Sequence, residues 1–234
     1  MFDELEILLS TVQSAANRQE YITAIVDDNC LGKRTQKTRE YTAQYLIQLY
    51  TLDPDIALFR SLLYFWKREP EARPLLALLC ASSRDSLLRS SLKVILDIPE
   101  SGVLTKETMV DFINQIEPER FSKITTESIA KNLNSTWTKS GHLQGRTKKV
   151  RSKANATPAA VGYALYISYL QGVRGTELFE TDYLKMLDCS KEKAIELAEI
   201  ASSRGWIVFK RIGNVIEVLF PNLISIEEAK LLRE

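Results

Sequence analysis

Trp206-Ile207-Val208-Phe209-Lys210-Arg211-Ile212-Gly213-Asn214-Val215-Ile216-Glu217-Val218-Leu219-Phe220 consists of two apolar, β-branched-rich runs meeting at a glycine and an asparagine. Residues of this kind around a Gly-Asn step predict an antiparallel hairpin. Just upstream, a short helix is expected around Tyr183, Leu184 and Leu187, ending at Asp188. Ser190 is placed to cap a second helix holding Ala194, Leu197, Ala198 and Ala201, which Arg204-Gly205 stops. Two short helices followed by a hairpin is the order of winged helix-turn-helix modules. A helix-hairpin cap that binds nothing has the same order.

Further upstream the chain reads almost wholly helical. Leu5, Leu8, Leu9, Val12 and Ala16 keep a helical spacing, as do Tyr21, Ile22, Ile25 and Val26. After a break at Leu31-Gly32, a long amphipathic stretch places Tyr41, Tyr45, Leu46, Leu49 and Tyr50 on one apolar face. Asp53-Pro54 reads as an N-cap followed by proline at the first helical position. Pro70 and Pro74 mark the next boundary, and one helix is expected over Ser86 to Leu96. Thr105 opens another, through Met109, Phe112 and Ile116. Thr126 or Ser128 is expected to cap a helix carrying Ile129, Leu133 and Trp137, stopping near Ser140-Gly141. Residues 142–153 hold too few apolar side chains for a core element; Gly145 could turn a short basic hairpin, or the segment could be a mobile loop. Residues 124–153 could then be a second, weaker helix-plus-wing unit. Thr157-Pro158 opens a strongly apolar helix in which Tyr163, Tyr166 and Tyr169 are expected to pack in the core. The expected fold is mainly α: an N-terminal helical bundle over residues 1–122, then a winged-helix-like region over residues 123–234 that ends in the β-hairpin.

The bulk composition bounds the function. With 45% hydrophobic and 26% charged residues, the chain is an ordinary globular protein. It has no apolar run of the ~18 residues a membrane span requires, and its first residues are acidic where a signal peptide is basic. Cys30, Cys80 and Cys189 are odd in number and far apart, against a disulfide framework or a zinc module. A cytoplasmic protein with no cofactor and no membrane partner is expected.

Charge is sorted along the chain. Basic and acidic residues nearly balance, 31 against 30, yet Ser128 to Thr176 contains eight cations and no Asp or Glu. Such polarity suggests a polyanionic partner, most simply nucleic acid. Within that window Arg146, Lys148, Lys149, Arg151 and Lys153 cluster beside the hydroxyls of Thr147 and Ser152. They suit phosphate contacts, which position a duplex without reading its sequence. Neutralising about five phosphates gives a slope of log affinity on log salt of roughly −4 to −5. Lys210 and Arg211, beside the expected wing tip, would extend the footprint. A second basic element, Lys33, Arg34, Lys37 and Arg39, stands at an expected helix N-terminus. Cations there oppose the helix dipole, and a bound phosphate would account for them.

Enzyme motifs are scarce. Gly32-Lys33-Arg34-Thr35 resembles the end of a phosphate-binding loop, but Asp27 stands where that loop needs a glycine, so the reading is rejected. His142 is the only histidine and has no carboxylate near it in sequence. It reads as a polar turn residue or a phosphate contact rather than a general base. Glu177, Glu180 and Asp182 read as helix-start acids rather than metal ligands.

The stretch Ile25 to Thr38 contains Asp28-Asn29-Cys30-Leu31-Gly32-Lys33-Arg34-Thr35. It resembles the pattern Asp-Asn-x-Leu-x-Lys-Arg-Ser/Thr near the N-terminus of BrxA proteins, small helical components of BREX bacteriophage-resistance systems. The resemblance covers about residues 20–100, and Asn29, Leu31, Lys33, Arg34 and Thr38 are the positions that carry over. It implies a cytoplasmic, non-enzymatic protein that binds double-stranded DNA and acts beside other defence-system proteins. The alternative expectation is a protein-interaction scaffold that holds partner subunits of a defence complex.

Overall fold

The computed structural model describes residues 1–13 and 16–224. The described chain is mainly helical and carries two small antiparallel sheets. Helix α1 covers Phe2–Thr11 and α2 covers Arg18–Val26. The helical spacing expected to continue to Ala16 stops early. Asn17 opens α2 with a capping box, its side chain accepting from the Glu20 amide while Glu20 reaches back to the Asn17 amide.

α3 (Gln36–Tyr50) is capped by Thr35. Its buried stripe is Thr42, Ala43, Leu46 and Tyr50, so Tyr41 and Tyr45, expected on the apolar face, are exposed instead. Two stripes one position apart are both plausible at a helical period, and packing chose the one with the smaller residues. Asp53-Pro54 forms a turn instead of opening a helix. The Asp53 carboxylate accepts from the Asp55 amide, and α4 (Ala57–Trp66) begins three residues after the proline. A 3-10 turn at Pro70–Ala72 leads into α5 (Arg73–Arg84), with Pro74 in its first turn. The single helix expected over Ser86 to Leu96 is split into α6 (Ser86–Ser90) and α7 (Leu92–Leu96).

Strand β1 (Val103–Leu104) precedes α8 (Lys106–Ile116), which Thr105 caps as expected. α9 (Lys123–Lys139) starts a turn earlier than expected, at Ser122, and buries Thr126. Strands β2 (Leu143–Gln144) and β3 (Lys149–Arg151) follow. They form a three-stranded sheet in the order β1-β3-β2. α10 (Pro158–Leu170) is capped by Thr157 and is buried from Pro158 to Tyr169. Tyr163 and Tyr166 are in the core as expected, donating their hydroxyls to the carbonyls of Leu58 and Leu223. A 3-10 turn at Gly175–Glu180 leads to α11 (Asp182–Lys185) and α12 (Lys191–Ser203), the latter capped by Ser190. The chain then enters β4 (Val208–Ile212) and β5 (Val215–Leu219), paired from Val208↔Leu219 to Ile212↔Val215 around the expected Gly213-Asn214 tip.

α10 is the hub, packed against α4, α5, α11 and α12. A helix apolar on all sides can be stable in water only when other elements enclose it. Its N-terminus meets the buried Glu69 carboxylate, which accepts from the Ala159 amide at 2.8 Å and pairs with Arg204 at 2.9 Å. A carboxylate there complements the helix dipole and ties α12 to α10. One contiguous apolar cluster draws on residues from both sides of position 122.

Candidate nucleic-acid interface

The basic segment after α9 is built on a small, fully bonded platform. Leu143 pairs with Arg151 and Gln144 with Val150, while β1 joins the other edge of β3 through Val103↔Val150 and Leu104↔Lys149. Gly145 turns the hairpin at φ +93°, and a Cβ there would stand 2.2 Å from the Lys148 carbonyl oxygen. Only glycine fits such a turn. The expectation that residues 142–153 form no core element is therefore corrected. The segment buries Leu143, His142, Arg151 and Ala154, and its polar members enter the interior because each finds hydrogen-bond partners.

Arg151 requires the plainest correction. Its side chain is 7% exposed and faces inward from β3. The guanidinium donates to the carbonyls of Ile95, at 3.0 Å, His142 and Ser152, and pairs with Asp188 at 2.7 Å. Asp188 also accepts from the Ala154 amide. Burial works against the Asp188 charge, but the Arg151 and Ala154 hydrogen bonds prevail and hold its carboxyl below the usual range. Arg151 is thus a tether between the hairpin and the α11–α12 connection, withdrawn from any phosphate.

His142 lies beside this pair and is fully buried. Its Nδ1 meets Ser140 Oγ at 2.9 Å, its Nε2 meets the Met186 carbonyl at 3.0 Å, and its ring packs edge-on to Trp137. Burial overturns the phosphate-contact reading, although His142 does sit at the bend that follows α9. The carboxylate whose charge it feels, Asp188, comes from 46 residues away and bonds Arg151 rather than the imidazole. Burial pushes its protonated form down to about 4, with Arg151 adding to the effect and Asp188 opposing it.

What remains on the surface is the turn itself. Arg146, Lys148 and Lys153 are exposed and Lys149 is half-buried. Lys149 donates to the Gly145 carbonyl, and none of the four forms an ion pair among the described residues. Elsewhere carboxylates are close at hand: Lys106 pairs with Glu127, Lys139 with Asp3, and Lys191 with Glu180.

The second basic element resolves into structural and free members. Asn29 adopts φ +51°, and its side-chain oxygen accepts from the Lys33 amide at 2.7 Å, which shapes the α2–α3 loop. Lys33 pairs with Glu4 at 3.1 Å, and Arg39 donates to the carbonyls of Val26 and Lys33. Val26 ends α2, so Arg39 serves the negative end of the preceding helix rather than opposing only its own. That accounts for two of the four cations without a phosphate. Arg34 and Lys37 are exposed and without a carboxylate partner among the described residues.

The C-terminal unit is close to charge-balanced. On α12, Lys193 pairs with Glu196 at 3.0 Å. Lys210 pairs across the hairpin with Glu217 at 3.2 Å, and Arg211 donates to the Gly213 carbonyl. Among the described residues no group of three or more His, Cys, Asp or Glu side chains is placed to hold a metal ion, and no helix is long and apolar enough to cross a membrane. Sequence reasoning missed Asp188 and the exposure of Tyr41 and Tyr45. A helical-face count centred on Leu46 could have flagged the tyrosines, whereas nothing local could have found Asp188. No protein-family model, curated protein or solved structure matches the chain.

Proposed function

We propose that this protein is a non-enzymatic double-stranded DNA-binding accessory factor, acting beside other proteins of a BREX-like phage-defence system and gripping the duplex through its phosphates. One observation carries the reading. Four cations, Arg146, Lys148, Lys149 and Lys153, stand on or beside a hydrogen-bonded hairpin turn with no carboxylate pairing them among the described residues. Unneutralised cations on an ordered platform are what sequence-independent phosphate contact requires. In this reading the α11–α12 pair and the β4–β5 hairpin form the winged-helix-like part. Lys210 and Arg211 contribute less than the first turn, since Glu217 offsets Lys210. The defence-system setting is supported by the Asp28 to Thr35 motif.

With Arg151 inside the fold, the turn can neutralise about four phosphates, which gives a slope of log affinity on log salt of roughly −3 to −4. Replacing Arg146, Lys148, Lys149 and Lys153 with alanine together should weaken binding to unrelated duplexes alike and flatten that slope. Fluorescence anisotropy at two salt concentrations measures both. Unchanged affinity and slope would sink the reading.

A second reading has one observation in its favour. Ile212 and Val215, at the tip of the β4–β5 hairpin, are 84% and 73% exposed. Apolar side chains so placed suit a scaffold that holds partner subunits. A co-purified complex that survives nuclease treatment, with no duplex binding at low salt, would favour it.

A further inference from the structure

Seven of the nine tyrosines are buried or half-buried, and two are not. Tyr41 and Tyr45 are 49% and 56% exposed, on the outer side of α3, away from its buried stripe of Thr42, Ala43, Leu46 and Tyr50. They stand four residues apart, so their rings follow one another along one face at about 6 Å of axial rise. Lys37 precedes them by one turn and places its ammonium 5.8 Å from the Tyr41 ring centre. Arg34 lies in the loop before the helix, and Gln48 continues the same exposed face one turn beyond Tyr45. Glu40 sits on the neighbouring edge, where Gln36 donates to its carboxylate.

We infer that this face of α3, formed by Arg34, Lys37, Tyr41 and Tyr45, is a binding platform for single-stranded nucleic acid. Two aromatic faces in series, with cations at one end and no ion pair to Arg34 or Lys37 among the described residues, match a chain of bases joined by phosphates. The spacing selects single strands over duplex. A stacked strand advances only ~3.4 Å per nucleotide. Side chains offset by about 6 Å along the helix can each take a base only if the bases are unstacked from each other, which a single strand allows and a duplex does not. Tyr41 and Tyr45 stack the bases, and Lys37 and Arg34 hold the phosphates that precede them. This platform is independent of the hairpin turn: it has its own cations and takes a different form of nucleic acid.

Labelled oligo-dT and oligo-rU, titrated by anisotropy at about 50 mM salt, test it and separate DNA from RNA as the source. Binding of at least one is expected. Tyr41→Ala with Tyr45→Ala should weaken it at least about 20-fold, while Tyr41→Phe with Tyr45→Phe keeps it. Both positions are exposed, so circular dichroism should be unchanged for either double variant, and duplex affinity should be unchanged too. The proposal is overturned if neither oligomer binds, if the alanine pair leaves affinity unchanged, or if the phenylalanine pair loses as much as the alanine pair. It is equally overturned if replacing Arg146, Lys148, Lys149 and Lys153 removes single-strand binding while the alanine pair does not.

Discussion

The hairpins at 143–151 and 208–219 share the same local recipe, a glycine at the turn with cations close to it, yet they spend their charge in opposite ways. In the first, Arg151 reaches inward to Asp188, which comes from the α11–α12 connection, while Arg146 and Lys148 project from the turn without a carboxylate. In the second, Lys210 lies opposite Glu217 on the partner strand and pairs with it, and the tip is apolar, with Ile212 and Val215 exposed. A cation's neighbours in sequence therefore say little about its availability. The register of its strand, and the residue placed across from it, decide.

The comparison breaks most easily at Arg151. Arg151→Ala leaves the Asp188 carboxylate half-buried beside vacated space, without its guanidinium partner, and removes the side-chain donor to the Ile95 and His142 carbonyls, which keep their backbone donors. Removing one partner of a buried pair costs about 3–5 kcal/mol. Urea unfolding should show that loss, whereas Lys210→Ala, which opens an exposed pair, should cost less than about 1 kcal/mol. Equal effects would erase the distinction between the two hairpins.

Acid should act on the first hairpin alone. His142 is neutral in the fold, with its pKa pushed down to about 4 against 6.5 in an unfolded chain. Between those values only the unfolded chain takes up the proton, so stability present above pH ~6.5 falls as pH drops toward ~4, by roughly 2–3 kcal/mol. Asp188, also held low, adds a further loss at lower pH. His142→Gln should flatten the window between pH 6.5 and 4, as read by the denaturation midpoint at each pH.

The turn glycines give a smaller contrast. At Gly145 a Cβ would strike the Lys148 carbonyl at 2.2 Å, whereas at Gly213, with φ +59°, it would meet nothing within 4 Å. Gly145→Ala should cost about 1–3 kcal/mol and Gly213→Ala about 1 kcal/mol, measured by thermal unfolding.

Much of the helical part was legible because its signals are local. Thr105, Thr157 and Ser190 each cap the helix they precede, and the strongly apolar run from Ala159 to Leu170 could only be enclosed. The Gly213-Asn214 tip was equally plain. Other features depended on tertiary choice. Whether Tyr41 or Thr42 faces inward is settled by how closely α3 packs on its neighbours, and an arginine in a basic run gives no sign that Asp188 waits 37 residues on. The basic run was visible as charge; its division into one buried tether and four surface cations was not. Likewise the Lys33 to Arg39 cluster mixes free side chains with ones that serve Glu4 and the end of α2.

The central claim is that the first turn carries free charge for a phosphate backbone and the second does not. Duplex affinity measured across a salt series, for the starting protein, the Arg146/Lys148/Lys149/Lys153 alanine variant and a Lys210/Arg211 alanine variant, tests it most directly. The first variant should reduce a slope of roughly −3 to −4 to near zero, and the second should change it by less than about 1. Equal reductions, or a larger one from Lys210 and Arg211, would contradict the account.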